Sequence, residues 1–187
     1  ETIPYNTDVD IAEGVKLRFV DAGHIIGSAS VHLSIIEGAK STHLSFSGDV
    51  GQYGDLLLRA PQPFGQADYI LLESTYGDKL HKDAQPTAQA LLDIIVKTCV
   101  HKGGKVIIPA FSVGRTQEIL YVLNNLDLEG KLPKVPVYVD SPLSAKATQI
   151  VENHADGYND DVLKIMEVDD NPFDFARLHY VESAEES

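Results

Sequence analysis

The chain has 187 residues, 43% of them apolar, with 15 basic against 28 acidic residues and a formal net charge of -13. That size suits one domain or two small ones with a sizeable core, and the negative sum argues against a free-standing nucleic-acid clamp, which needs a basic face. No apolar run reaches the roughly 18 residues of a membrane span, no export signal opens the chain, and a single cysteine excludes an internal disulfide or a thiolate zinc cluster. No membrane association is therefore expected, and the cytoplasm is the default location.

From Lys16 to Leu72 strand signals dominate: "VKLRFV", "SVHLSII", "THLSFS" and "DYILLE", separated by turns containing Gly or Pro. Val31, Leu33 and Ile35 alternate with His32 and Ser34, which predicts one buried and one polar face, with His32 pointing away from the core. His43 shares the outward set with Ser45 and Ser47, opposite Leu44 and Phe46. Surface or cross-strand pairing accounts for both histidines, because neither sits at a strand end.

From about Thr87 the period changes. A helix is expected through "TAQALLDIIVKTCVHK", then a strand "KVIIPAF", a helix "GRTQEILYVLNNL", a strand "VPVYVDS" and a helix "SAKATQIVENHA". Cys99 lies on the first of these helices, where a buried inert thiol is the expected role. Short apolar strands alternating with helices predict crossover units on a parallel sheet. The expected architecture is α/β: a mostly antiparallel sheet region followed by a parallel-sheet segment, with a boundary near residues 74–86.

Three strand ends carry polar groups followed by small or turn-forming residues: His24, Asp49 and Glu73. A strand end is rigid and the loop after it is open, which suits a preorganised metal or acid/base site. Imidazole and carboxylate are good zinc ligands, although Asp49 could instead cap a turn in "GDVG" and His24 could be an ordinary hydrogen-bonded histidine. The matched contexts of His24 and Asp49 favour ligation. Glu73 ends so apolar a strand that a cation, a histidine or a donor is expected beside it. In the second half, Ser112 and Arg115 stand at a helix start in "FSVGRTQE", where free amides and an arginine opposing the helix dipole point to a phosphate. Ser141 and Pro142 in "DSP" read as an N-cap and a first helical residue.

"DAGHIIGSA", "FSGDVG" and "LLESTYGD", in this order and spacing, resemble metal motifs of the metallo-β-lactamase fold and the first motif of its β-CASP branch. "IIPAFSVGRTQEILYVL" followed by "VPVYVDSPLS" is similar to the inserted β-CASP domain of RNA-processing nucleases, and the match runs from about Lys16 to His154. The resemblance implies a partial metallo-β-lactamase domain over residues 1–76 and a partial β-CASP domain over 77–187. It implies His24 as a ligand of one zinc ion, Asp49 as the carboxylate bridging two, and Glu73 as the acid that orients a catalytic histidine. It further implies RNA as substrate, cleaved at a phosphodiester in the cleft between the domains by a hydroxide generated at two metal ions.

The family's H-x-H-x-D-H motif is nowhere in this chain, and His154 and His179 lack the flanking pattern of its later histidine motifs. One ligand histidine and one bridging aspartate cannot close a tetrahedral site. The chain, which opens on "ETIPY" and ends in acid, is accordingly expected to be an internal fragment of a nuclease, inactive alone and prone to self-association through exposed strand edges. A non-catalytic RNA-binding or protein-binding subunit is the alternative, and a small-ester hydrolase a third.

Overall fold

The computed structural model describes residues 2–79, 88–181, 183 and 185. Most of the expected boundary at 74–86, the predicted helix start at Thr87 and much of the acidic tail lie outside the described residues. They fall into two compact units, Glu1–Leu80 with Gly157–Asn159, and His81–Asp156 with Asp160–Ser187.

The first unit is a five-stranded sheet in the order β1-β2-β3-β4-β5, built from Val9–Ala12, Val15–Asp21, Ala29–Glu37, Lys40–Phe46 and Tyr69–Leu71. The first four strands are antiparallel and β5 joins β4 in parallel. Gly38, at a φ of 61°, opens the two-residue turn between β3 and β4, a conformation that costs glycine no Cβ clash. That turn fixes the register in which His32 faces Ser45 and Ser34 faces His43. Both histidines are cross-strand bonded: His32 Nδ1 lies 2.8 Å from Ser45 Oγ, and His43 Nδ1 lies 3.1 Å from Ser34 Oγ.

The alternation was correctly read but the buried face was not. Ser45 and Ser47 are each only 1% exposed, whereas Phe46 between them is 47% exposed. Residues 60–67 are drawn across the polar face, tied at one end by the Gln62 N–H donating to Asp21 O (3.0 Å) and at the other by the Asp68 N–H donating to His43 O (2.8 Å). The Phe64 ring then packs on His32, with centroids 5.7 Å apart. A covered serine loses little when its hydroxyl finds a partner, and here Ser45 bonds His32 on β3 while Ser47 donates to Gly48 O and accepts from the Glu73 N–H. The piece Gly157–Asn159 completes this unit: the buried Tyr158 bridges to Leu58 and its carbonyl accepts from Arg59 Nε at 3.1 Å.

The second unit holds α1 (Ala88–Ile95), continued by a π-helical turn over Val96–His101, then α2 (Arg115–Leu128), β6 (Val137–Asp140), α3 (Pro142–Glu152), α4 (Asp160–Ile165) and β7 (Leu178–Val181). Strands β6 and β7 pair in parallel. Leu120, Leu123, Leu126, Val139, Val151, Val162 and Phe173 form the core. The Ser141 hydroxyl caps α3 by accepting from the Ser144 N–H at 3.1 Å, with Pro142 at the first helical position. The strand expected at "KVIIPAF" is overturned. Residues 105–110 belong to no strand, and Ile107 and Phe111 are 88% and 84% exposed. A strand exists only with a ladder partner, and among the described residues β6 has β7 as its sole strand neighbour.

Candidate active site

His24 sits in the loop that follows β2. The Asp21 carboxylate accepts from the Gly23 N–H at 2.8 Å, and the Ser28 hydroxyl accepts from the N–H groups of His24 (3.1 Å) and Ile25 (3.3 Å). Asp49 sits in the loop that follows β4. The two loops are joined by one backbone bond, from the Gly51 N–H to Ala22 O at 2.8 Å. They pass so closely that a Cβ on Gly51 would lie 1.7 Å from Gly23 O and 2.8 Å from His24 N. This contact brings His24 Nε2 to 4.0 Å from Asp49 Oδ2, with both side chains open to solvent.

Glu73, two residues beyond β5, closes the arrangement from the other side. Its carboxylate accepts from the Val50 N–H at 2.7 Å and from the Thr75 hydroxyl at 2.6 Å. Those bonds, the Thr75 hydroxyl foremost and the Val50 amide next, hold its carboxyl below the usual glutamate range, with a smaller contribution from His24. Ser47 is the hub behind it: its hydroxyl accepts from the Glu73 N–H at 2.9 Å and donates to Gly48 O at 2.6 Å. The Ser30 hydroxyl donates to Ser47 O at 2.8 Å, and the Ser47 N–H donates to Leu71 O at 2.9 Å. Three strand ends are thereby clamped in one place, and an imidazole and two carboxylates are presented on their tips.

Sequence reasoning singled out the three tips but missed the residues that hold them: Ser28, Ser30, Ser47, Gly51 and Thr75. The usable signal was a serine directly preceding "GD" and a second glycine after it. As ligands, His24 and Asp49 offer one imidazole and one carboxylate. Among the described residues no group of three His, Cys, Asp or Glu side chains could hold a metal ion. These residues fit part of a metal site and do not complete one.

Ser112 and Arg115 lie in the second unit at the start of α2. Gly114 occupies the N-cap without a side-chain bond, and the Arg115 guanidinium pairs with Glu118 one turn on, Nη1 to Oε2 at 2.8 Å. The anion that an arginine at a helix start calls for is thus supplied in part by its own helix. The Ser112 hydroxyl is 3.4 Å from that of Ser141, and its carbonyl accepts from Gln117 Nε2 at 3.2 Å. His154 bonds to Ile150 O at 2.7 Å, and His179 stacks on Tyr138 with ring centroids 5.1 Å apart.

Residues 116–187 match the model of the Beta-Casp domain. The chain is 37% identical over 175 residues to an RNase J-like protein of Methanocaldococcus jannaschii, a match covering 92% of this chain and 40% of the relative. It is 37% identical over 190 residues to the transcription termination factor FttA of Cenarchaeum symbiosum, covering 98% of this chain and 28% of the relative. It is 31% identical over 192 residues to the endoribonuclease YSH1 of Kluyveromyces lactis, covering 100% of this chain and 24% of the relative. The chain thus spans well under half the length of these relatives. The β-CASP resemblance drawn from the motifs is shown by these matches, and the mixed α/β architecture agrees with it.

Proposed function

We propose that this chain, which carries a Beta-Casp domain over residues 116–187, is part of a metal-dependent ribonuclease that hydrolyses RNA phosphodiesters. The observation that carries the reading is the clamped triplet: His24 Nε2 at 4.0 Å from Asp49 Oδ2, with the Glu73 carboxylate bonded to the residue next to Asp49. Such tips are rigid, charged and exposed, as groups that meet a charged substrate must be. Relatives named as an RNase J-like protein and an endoribonuclease support RNA as substrate.

In this reading residues 1–76 belong to a metallo-β-lactamase domain and residues 77–187 to the β-CASP domain. His24 is a ligand of one zinc ion and Asp49 the carboxylate shared by two. Glu73 stays ionised and is the acid that orients a catalytic histidine, while Ser112 and Arg115 contact substrate phosphate. The described residues do not complete the metal site, so this chain's own share is presentation: holding Asp49 and His24 side by side and keeping Glu73 charged. The edge strands β1 and β5, the latter with Tyr69, Ile70 and Leu71 all at least 50% exposed, invite self-association; sedimentation of the chain over a range of concentrations would test it.

The decisive test is cleavage of labelled RNA by the parent protein, with bound metal measured alongside. Asp49→Ala should lose at least about 100-fold in rate, more than removal of a supporting partner costs, together with part of the bound metal. Unchanged turnover and metal content would reject Asp49 as a shared ligand and leave the non-catalytic binding subunit as the reading.

A further inference from the structure

A second polar feature lies in the first unit, away from the three tips. Beneath residues 60–67 runs a groove of about 550 Å³, lined by Lys16, Arg18, His32, Ser34, Gln62 and their neighbours. Its floor is the covered polar face of β2, β3 and β4. Asp8 is the one acidic residue on its wall. That carboxylate is already engaged by Arg18, through Nε at 2.7 Å and Nη2 at 2.9 Å. Among the residues that line the groove, Lys16 and Arg18 outnumber Asp8, with Asp10 standing opposite Lys16 on β1, on a chain whose total charge is -13.

One atom in the groove is unexplained by the fold. His32 Nε2 is buried and has no hydrogen-bond partner, while Nδ1 on the same ring is 2.8 Å from Ser45 Oγ. Burial, and then the charge of Arg18, push the imidazole below its ordinary pKa, so the ring is neutral near pH 7. If Ser45 donates its hydroxyl hydrogen to Nδ1, the ring proton sits on Nε2 as a buried donor without an acceptor. A buried polar group left so is unfavourable, and an arriving acceptor restores the missing bond. Two cationic side chains beside such an imidazole N–H are the recognition chemistry of an oxyanion, not of a metal or an apolar ligand.

We infer that this groove is a phosphate-binding site, with Lys16 and Arg18 supplying the charge and the His32 Nε2–H the directed hydrogen bond. The site stands four residues up β4 from Asp49, on the same sheet as the tips. If the ribonuclease reading holds, its natural ligand is a backbone phosphate of the RNA beside the scissile bond. That identity rests on the reading, whereas the phosphate chemistry does not.

The test is a titration of the isotopically labelled chain followed by amide and imidazole nitrogen NMR, in two arms. One arm uses inorganic phosphate into the tens of millimolar, and the other a short single-stranded oligoribonucleotide without terminal phosphates. The free chain should show His32 as the Nε2–H tautomer. Saturable shifts should then map to Lys16, Arg18, His32 and residues 62–66 in at least one arm. Saturation with the oligoribonucleotide assigns the site to RNA, and saturation with inorganic phosphate alone assigns it to a free phosphate. Lys16→Ala should weaken binding about fivefold, Lys40→Ala, on the far end of β4, should not, and His32→Phe should remove the imidazole response. An Nδ1–H tautomer, no saturation in either arm, or shifts centred on residues 24 and 49–51 would each overturn the site. None of those results touches the Asp49→Ala cleavage assay, so the groove and the nuclease reading can fail separately.

Discussion

The contact between Gly51 and the loop after β2 gives the sharpest handle on how the candidate site is built. A Cβ at residue 51 would stand 1.7 Å from Gly23 O, and real Cβ contacts essentially never fall below 3.0 Å. Gly51→Ala must therefore move the two loops apart by at least 1.3 Å, the difference between those distances. Backbone lies on both sides, so no flexible side chain can yield instead. The 2.8 Å bond from the Gly51 N–H to Ala22 O is then lost, at about 1 kcal/mol, and overpacking adds roughly 1–3 kcal/mol. A total of about 2–4 kcal/mol corresponds to a fall in amide protection of roughly 30-fold or more across β2, β3 and β4. Hydrogen exchange is the assay of choice, because two compact units need not unfold together and a single melting curve would blur them. Gly65→Ala is the control, since a Cβ there meets nothing within 4 Å. Neither glycine has a positive φ, so the pair differs in sterics rather than in backbone strain. Protection in Gly51→Ala equal to that in Gly65→Ala would refute the claim that this close approach sets the separation of His24 and Asp49.

Two further substitutions probe the clamp. Ser47→Ala removes the hydroxyl that serves the Glu73 N–H and Gly48 O, leaving both groups short of a partner in a half-buried position; destabilisation of about 1 kcal/mol is expected, read as lost amide protection at β4 and Glu73, with Ser47→Thr restoring most of it. Glu73→Gln tests the charge: because its folded carboxyl is held below the ordinary value of 4.5, the stability it contributes is present above that pH and lost as pH falls through the lower folded value. The wild type should accordingly exceed the glutamine variant in stability at neutral pH and converge with it in acid; a gap independent of pH would show that the carboxylate's charge is not what the Thr75 and Val50 bonds favour.

The elements that were legible in the sequence are those whose signal is local. The two-residue period of β3 and β4 reports the pleat itself, and "DSP" reports a cap made within four residues. What misled was the step from period to burial. Alternation says that His32 and Ser45 share a face, but which face is covered depends on where residues 60–67 are laid, and the bonds deciding that run from Gln62 to Asp21 and from Asp68 to His43. "KVIIPAF" failed for the same reason in reverse: its apolar content is that of a buried strand, yet a strand also needs a neighbour, and composition cannot supply one. His24 and Asp49 were legible because glycines on either side of a polar residue are a local signature, and Glu73 because a carboxylate ends an otherwise apolar strand. Their meeting was not, since it depends on the Gly51 amide reaching Ala22, 29 residues away. The serines behind them illustrate the general difficulty. Ser30 and Ser47 look in the sequence like solvent-facing strand residues, and they are 3% and 1% exposed. A hydroxyl can be buried at low cost once a carbonyl or amide lies within reach, so serine on a strand is ambiguous until its partners are known. Here those partners are the backbone of the very loops that carry Asp49 and Glu73, and for that reason the candidate site and the least legible part of the sheet coincide.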